Sequence, residues 1–474
     1  MSRRLKTTPE LFSPHDMVSS GLCIGCGMCV AQARENGASM AWDDYGQLQP
    51  AGSPGWLRRR SAEFSRLCPF SPMAPDEDEL ARMLFPSAPH ADEFIGRYAA
   101  AYVGYVREGD FRRNGSSGGL VSWTAAELLR TGLVDGIVHV VASDADEFGM
   151  GHFRYGVSYS EAAARRGAKS RYYPVELSAA VKTISEHPGR YAVVGIPCFI
   201  KALHLLCAQD ERLRARVAFT LGLFCGHMKS ARFVESLAWQ MGRRPEDVRR
   251  VEYRKKDPGQ PANWYVAELT FGDESTMRVN WWDLVDGDWG AGYFQAGACN
   301  FCDDIVGETA DISFGDAWLE PYASDGRGTN VVVVRSAALR HLLEHAIEDG
   351  RLHLETVDND FVKRTQAAGI RQRREGLAYR LALRRRGIRP GKRVAADASS
   401  LHIRRKVIYL MRGLISRWSH RVFWLARALD RPAIYLSWAR GSLAFYHALA
   451  YSRGRLGRFL ARLRGQEGDT GKDA

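Results

Sequence analysis

Three cysteines recur at intervals of three in the stretch CIGCGMC, as Cys23, Cys26 and Cys29. Thiolates spaced in this way can cap three irons of a cubane, so a fourth ligand has to come from elsewhere in the chain. Cys68 supplies it, and the Pro69 that follows stiffens the backbone beside the cluster. Gly25 and Gly27 suit a loop whose amides must approach sulfur closely. A zinc knuckle and unrelated thiols are the alternatives; threefold spacing with no histidine nearby favours a 4Fe–4S cluster.

Five cysteines remain. Cys198 ends VVGIPC and Cys225 ends LGLFC, both apolar runs that read as strands, and an α/β sheet presents its ligands at strand ends. With the pair Cys299 and Cys302 in CNFCDD they can make a second cubane site; taken singly, Cys198 and Cys225 read equally well as buried thiols. Cys207 falls on the apolar pattern of IKALHLLCAQ and is expected in the core.

Three further stretches carry polar chemistry. NGSSGGLVSWTAAELL, from Asn114, sets a Ser/Gly turn before an amphipathic helix, so Ser116 or Ser117 can cap it while free amides face an anion such as phosphate. Capped helix starts after glycine are common, and the motif alone is weak. AKSRYYP, residues 168–174, adds Lys169 and Arg171 as phosphate partners and Tyr172 as an aromatic to flank a ring, the alternative being an ordinary exposed loop. ADISFGDAW, residues 310–318, places Asp311 and Asp316 around a strand, as catalytic carboxylates or as a strand closed by a capping aspartate.

The elements that must position these residues are legible as patterns. GIVHVVAS, RYAVVGIPC, VAFTLGLFC and NVVVVRS are apolar runs of strand length, alternating with helical patterns such as GLVSWTAAELLRTG and SARFVESLAWQMG. That alternation predicts an α/β body with a largely buried sheet. Turn-rich, cysteine-bearing residues 1–95 read as a small cluster domain, 96–180 and 181–336 as the two parts of the body, and 337–474 as a helical, Arg-rich extension.

A chain of 474 residues with 45% hydrophobic content is ample for such a multidomain globular protein. MSRRLKTTPELFSPHD has basic residues but no apolar run behind them, so it does not read as a signal peptide and the expected location is the cytoplasm. Nine cysteines kept reduced there point to metal ligation rather than disulfides. The net charge of +12 is unevenly spread: residues 371–474 hold 25 Lys/Arg against 6 Asp/Glu, while the body is mildly acidic. The basic tail therefore reads as an appendage that meets an anionic surface.

Between Arg405 and Arg431, Val407, Met411, Leu414, Trp418, Val422, Leu425 and Leu429 share one helical face, with arginines mostly opposite. The pattern suits a helix in the headgroup layer of an anionic membrane on the inner face, or one packed on its own protein or a second copy; nucleic acid is the least favoured partner. Arginines interrupt it too often for a membrane span, and RPAIYLSWARGSLAFYHALAYSR is likewise broken as a span by Arg440 and by two glycine or proline sites.

Taken together and in this order, CIGCGMC, CP, SSGG, KSRYYP, GIPC, GLFCG, CNFCDD and ADISFGDAW resemble the coenzyme F420 hydrogenase/dehydrogenase beta-subunit family, whose F420 is a deazaflavin. The resemblance runs from about residue 20 to 336. It implies a mixed-sheet α/β body that binds a flavin, usually FAD, a small N-terminal iron–sulfur domain, and 4Fe–4S clusters that exchange electrons with the flavin. By position it lends Cys23, Cys26, Cys29 and Cys68 to one cluster, and Cys198, Cys225, Cys299 and Cys302 to a second. Ser116, Ser117, Gly118, Gly119, Lys169, Ser170 and Tyr172 become flavin contacts.

The N-terminal region lacks the second, back-to-back C-x-x-C-x-x-C set of two-cluster ferredoxin modules, so one cluster is expected there. The family resemblance leaves the basic tail without an account. Family members act on the deazaflavin, on chlorophyll-type tetrapyrroles, or as accessory proteins of bacterial polysaccharide synthesis, which leaves the substrate open. The implied enzyme is a flavin-dependent iron–sulfur oxidoreductase that trades electrons with a one-electron carrier such as ferredoxin or a partner oxidoreductase subunit. His227 and Asp316 are candidate proton donors. The competing class is a non-enzymatic iron–sulfur accessory or interaction protein, with structural clusters and no flavin.

Overall fold

A computed structural model describes residues 10–33, 37–143 and 151–462; the ends of the expected N-terminal domain and C-terminal extension, 1–9 and 463–474, lie outside it. At its centre, eight strands form one mixed sheet: β1 (Ala100–Val106), β2 (Gly136–Ala142), β3 (Phe153–Ser158), β4 (Tyr191–Gly195), β5 (Val217–Leu223), β6 (Ile312–Asp316), β7 (Asn330–Val334) and β8 (Leu352–Thr356). Their order is β8-β1-β7-β6-β5-β4-β2-β3. Neighbours from β2 through β4 and β5 to β6 are parallel. The strands outside them pair antiparallel.

Parallel strands covered on both faces read as continuous apolar runs, and YAVVG in β4 is buried at every position. Successive side chains point to opposite faces. Ala192 and Val194 therefore pack under α1 (Leu120–Arg130) with Trp123 and Leu128. Tyr191 and Val193 pack on the other face with Phe199 and Leu203 of α2 (Pro197–Cys207). That second core also takes in Met17, Leu22, Met28, Phe64 and Leu67, which fixes the cysteine-bearing N-terminal segment against the body.

Between β5 and β6 the chain builds a three-stranded antiparallel sheet, Val248–Lys255, Val266–Phe271 and Thr276–Asn280. Its aromatic core is shared with α3 (Ile403–Ala428) and α4 (Pro432–Tyr451). α4 runs unbroken through Arg440 and Gly441. A mid-helix glycine costs only about 1 kcal/mol against alanine, less than docking Tyr435, Ala439 and Tyr446 in the core returns. Among the described residues no helix is long and apolar enough to cross a membrane.

α3 has two apolar faces, and most of the stripe read from the sequence lies on the exposed one. Met411 is buried, but Leu414, Trp418, Leu425 and Leu429 are exposed, while Ile408, Ile415, Phe423 and Ala426 face the core. Trp239 stacks on Phe423 at 4.3 Å, and Ser419 Oγ accepts the Phe294 amide at 2.9 Å. These contacts on the body, invisible to periodicity, choose the docked face.

Candidate functional site

The loop Cys23–Cys29 runs into the short helix Met28–Gln32. Gly25 and Gly27 have φ of +73° and +79°, the left-handed region, and a Cβ on Gly27 would collide with the Glu176 carboxylate. The turn aims the amides of Gly25, Met28 and Val30 at the sulfurs of Cys23, Cys26 and Cys29. Cys68 ends the helix Ala62–Leu67, its sulfur facing the amides of Phe70 and Ser71. All four cysteines line one pocket with Met17, Phe64, Leu67 and Pro69.

Burial pushes the Cys23 thiol up to about 11 and Cys68 up to about 12. In Cys29, burial comes first and the neighbouring Cys26, Cys23 and Cys68 add to it. Four thiolates here would repel one another, so they ionise together only around a cationic core. Among the described residues no three His, Cys, Asp or Glu side chains form a group that could hold a single metal ion. Zinc draws each thiolate to about 2.3 Å, whereas a cubane spreads four thiolates over four irons. The pocket, its inward amides and its donor set fit the latter.

The second set converges as well. Cys198 lies in the first turn of α2, just after β4; Cys225 follows β5; Cys299 lies in the turn Gly297–Phe301, which Cys302 ends. After burial, what raises Cys198 is the charge of Cys302, Cys225 and Cys299, then of Cys26, so the two sets adjoin. The Met228 amide donates to Cys299 Sγ at 3.4 Å. Cys207, at the far end of α2, sits in the core with Asp210 and Arg214 as its charged neighbours.

Cations from beyond residue 370 close over this second set. The Arg373 guanidinium donates to the carbonyls of Cys225 (2.8 Å), Gly226 (2.6 Å) and Cys299 (3.2 Å). Lys392 pairs with Asp303 at 2.8 Å and Arg393 with Glu308 at 2.6 Å, both carboxylates having 0% side-chain exposure. The first part of the basic tail is thus built into the fold, where it neutralises the acidic residues that follow Cys302, and is not a free appendage. Sequence reasoning missed these residues because charge pairing across some 90 positions leaves no local pattern.

The serine–glycine loop and KSRYYP are joined directly, the Ser170 amide donating to Ser116 Oγ at 2.8 Å. Neither serine caps α1: its N-cap is Gly119 at φ +89°, and Ser117 Oγ donates to the Thr329 carbonyl at 2.9 Å. A Cβ on Gly118 would come within 2.8 Å of Asn330 in β7 and 2.7 Å of the Gly104 carbonyl in β1, so this glycine lets the helix start settle on the sheet. Lys169, at φ 105°, pairs with Glu252 at 2.8 Å. Arg171 instead donates to the Ala168 carbonyl and lies 4.8 Å over Phe153, away from the phosphate role expected of it.

Lys256, which the sequence reading missed, donates to the carbonyls of Arg112, Ser117 and Arg327, each at 2.6 Å. Burial, then Lys169, Arg254 and Arg112, lower it to about 7. Lys169, Arg254 and Arg112 are themselves paired with Glu252, Asp316 and Asp325, so carboxylates already hold the cations gathered beside the serine–glycine loop. The Tyr172 ring stands 4.7 Å from Trp289 and 5.5 Å from Trp281, and Trp289 stacks on His227 at 4.3 Å. An aromatic wall therefore leads from KSRYYP to the loop that carries Cys225.

The carboxylates of ADISFGDAW are engaged. Asp311 accepts from the Thr220 amide and hydroxyl at 2.8 and 2.7 Å, and both oxygens of Asp316 accept from Arg254. His227 stays neutral, pushed well below the usual range by burial and then by Lys229. Of the two candidate proton donors, Asp316 is thus tied to Arg254 and His227 is buried in its neutral form.

Two family models match the chain, both of the coenzyme F420 hydrogenase/dehydrogenase beta subunit: the N-terminal model over residues 101–182 and the C-terminal model over 189–360. Together they span more than half of the sequence. The chain belongs to this family. Ser116 to Gly119, Lys169, Ser170, Tyr172 and the second cysteine set lie within the beta-subunit matches; the first cysteine set and the extension past residue 360 lie outside them. This beta-subunit family protein is 24% identical over 261 residues to an uncharacterized protein of Methanocaldococcus jannaschii, covering 53% of the chain and 65% of that relative. It also resembles a chain of the F420-reducing nickel–iron hydrogenase complex from Methanosarcina barkeri, studied by xenon derivatization, at 16% identity and a TM-score of 0.49 over 64% of this chain and 99% of that one.

Proposed function

We propose that the protein is a flavin-dependent iron–sulfur oxidoreductase. In this reading Cys23, Cys26, Cys29 and Cys68 hold one 4Fe–4S cluster, Cys198, Cys225, Cys299 and Cys302 hold a second, and the Ser116–Gly119 and Lys169–Tyr172 segments hold FAD. The observation that carries it is the gathering of two four-cysteine sets side by side, joined by an aromatic wall to a cationic loop pair. When bound, the clusters supply one-electron transfer, and the flavin supplies two-electron hydride chemistry with a deazaflavin or another organic substrate.

The chain's own residues bind, orient and shield. Amides of Gly25, Met28, Val30, Phe70 and Ser71 favour the thiolate form of the first set. Lys169 and Lys256 bring positive charge to the flavin pyrophosphate. Lys256, its three donors spent on carbonyls, acts by charge alone. Tyr172, Trp281 and Trp289 offer apolar faces that exclude water from the ring site. Ferredoxin or a partner oxidoreductase subunit is the proposed electron carrier, and the protein works in the cytoplasm, held at the inner membrane face by its C-terminal helices.

Anaerobic purification followed by iron, sulfide and flavin determination tests the reading. It expects about eight iron, eight sulfide and one flavin per chain, with a flavin spectrum bleached by dithionite and restored by air. Full iron with no releasable flavin would instead support the accessory-protein reading.

A further inference from the structure

α3 turns a second apolar face to solvent. Leu410, Leu414, Trp418, Trp424, Leu425 and Leu429 are each 43–52% exposed. Their spacing keeps them within an arc of about 140° on a helix of 3.6 residues per turn. Ile408, Ile415, Phe423 and Ala426 on the other side are docked on the body. Arg417 and Arg421 share the solvent side, and the Arg421 guanidinium lies 5.4 Å over the Trp418 ring. From Leu401 to Arg462, Asp430 is the sole acidic residue.

An apolar strip studded with cations and almost free of carboxylates complements a surface that is anionic outside and apolar beneath. Tryptophan suits that boundary, having an apolar body and a polar N–H. A second copy seated by twofold symmetry would bring together two faces that both carry arginines and almost no carboxylate to pair with them. Nucleic acid would leave the four leucines of this face without an apolar partner. We propose that this face of α3 lies in the headgroup layer of an anionic lipid bilayer, parallel to its plane, leucines and tryptophans inserted and arginines on the phosphates. The proposal rests on the peripheral location put forward above and deepens it to one helix face and one lipid class.

Full-length protein is sedimented with phosphatidylglycerol–phosphatidylcholine vesicles and with phosphatidylcholine vesicles, at low and high salt. Binding to the anionic vesicles alone is expected, weakened by salt, with a blue shift of tryptophan emission. Arg417→Gln combined with Arg421→Gln should lower the partition coefficient roughly thirtyfold. Trp418→Ser combined with Leu425→Ser should lower it at least as much, and both variants should keep the wild-type circular-dichroism melt, since all four side chains are exposed. Wild-type protein that ignores anionic vesicles at low salt overturns the peripheral location itself. Undiminished binding by both variants leaves that location standing and overturns the assigned face. A wild-type dimer that the Trp418 and Leu425 changes dissociate, with lipid binding unaltered, assigns the face to a second copy and also overturns the proposal.

Discussion

Replacing Lys392 by methionine should destabilise the protein more than any loss of surface charge would. The Asp303 side chain it serves has 0% exposure, and Lys392 itself is 3% exposed. Removing one partner of a buried pair strands the other charge, at a cost of about 3–5 kcal/mol. Asp303 keeps weaker support from Arg393, whose amide and Nε stand 3.3 and 3.5 Å away. The lower end therefore applies, about 3 kcal/mol, or a little over a hundredfold in the folded-to-unfolded ratio. Urea unfolding, followed by tryptophan fluorescence and far-UV circular dichroism together, measures it. The double variant Lys392→Met, Asp303→Leu removes both charges and should return to within about 1 kcal/mol of wild type. A single variant that loses less than about 1 kcal/mol, or a double variant no better than the single, would refute the reasoning that this pair is a closed buried neutralisation.

Cys68→Ala should lower the content by about four iron and four sulfide per chain, one cubane, while the second set keeps its share; unchanged iron in folded protein removes Cys68 as a ligand. Lys169→Glu sets a carboxylate against Glu252 and should reduce flavin occupancy, read by extraction and absorbance. Lys256 titrates near 7 in the folded chain against an unfolded value of 10.5. Between those pH values the unfolded chain binds the extra proton, so stability should rise with pH, by up to about 1.4 kcal/mol per unit. Lys256→Met should flatten that slope between pH 7 and 9, and an identical slope in the variant falsifies the assignment.

What was legible in the sequence follows from the range over which each interaction acts. β2, β4, β5 and β7 were readable because buried strands demand unbroken apolar runs, and those runs lead to Cys198 and Cys225. The placement of Cys68 beside the triplet followed from a ligand count. Lys256 was opaque because its partners are three backbone carbonyls, which any residue supplies. The serine cap was misjudged because Gly119 already starts α1 from a left-handed conformation, leaving the hydroxyls to Thr329 and Ser170. On α3 two apolar stripes interleave with arginines, and only the shape of the body decides which stripe is buried.

The clasp of Lys392 and Arg393 on the CNFCDD loop also sets a timetable. Arg393 trails Asp303 by 90 positions, and chains are synthesised from the N-terminus at about 5–20 residues per second. Cys299 and Cys302 thus spend roughly 5 to 18 seconds outside the ribosome's catalytic centre before their acidic neighbours can be neutralised. If the second set takes up a cluster as proposed, its insertion would await the finished chain, and a nascent chain stalled before Lys392 should emerge with its thiols still open to alkylation.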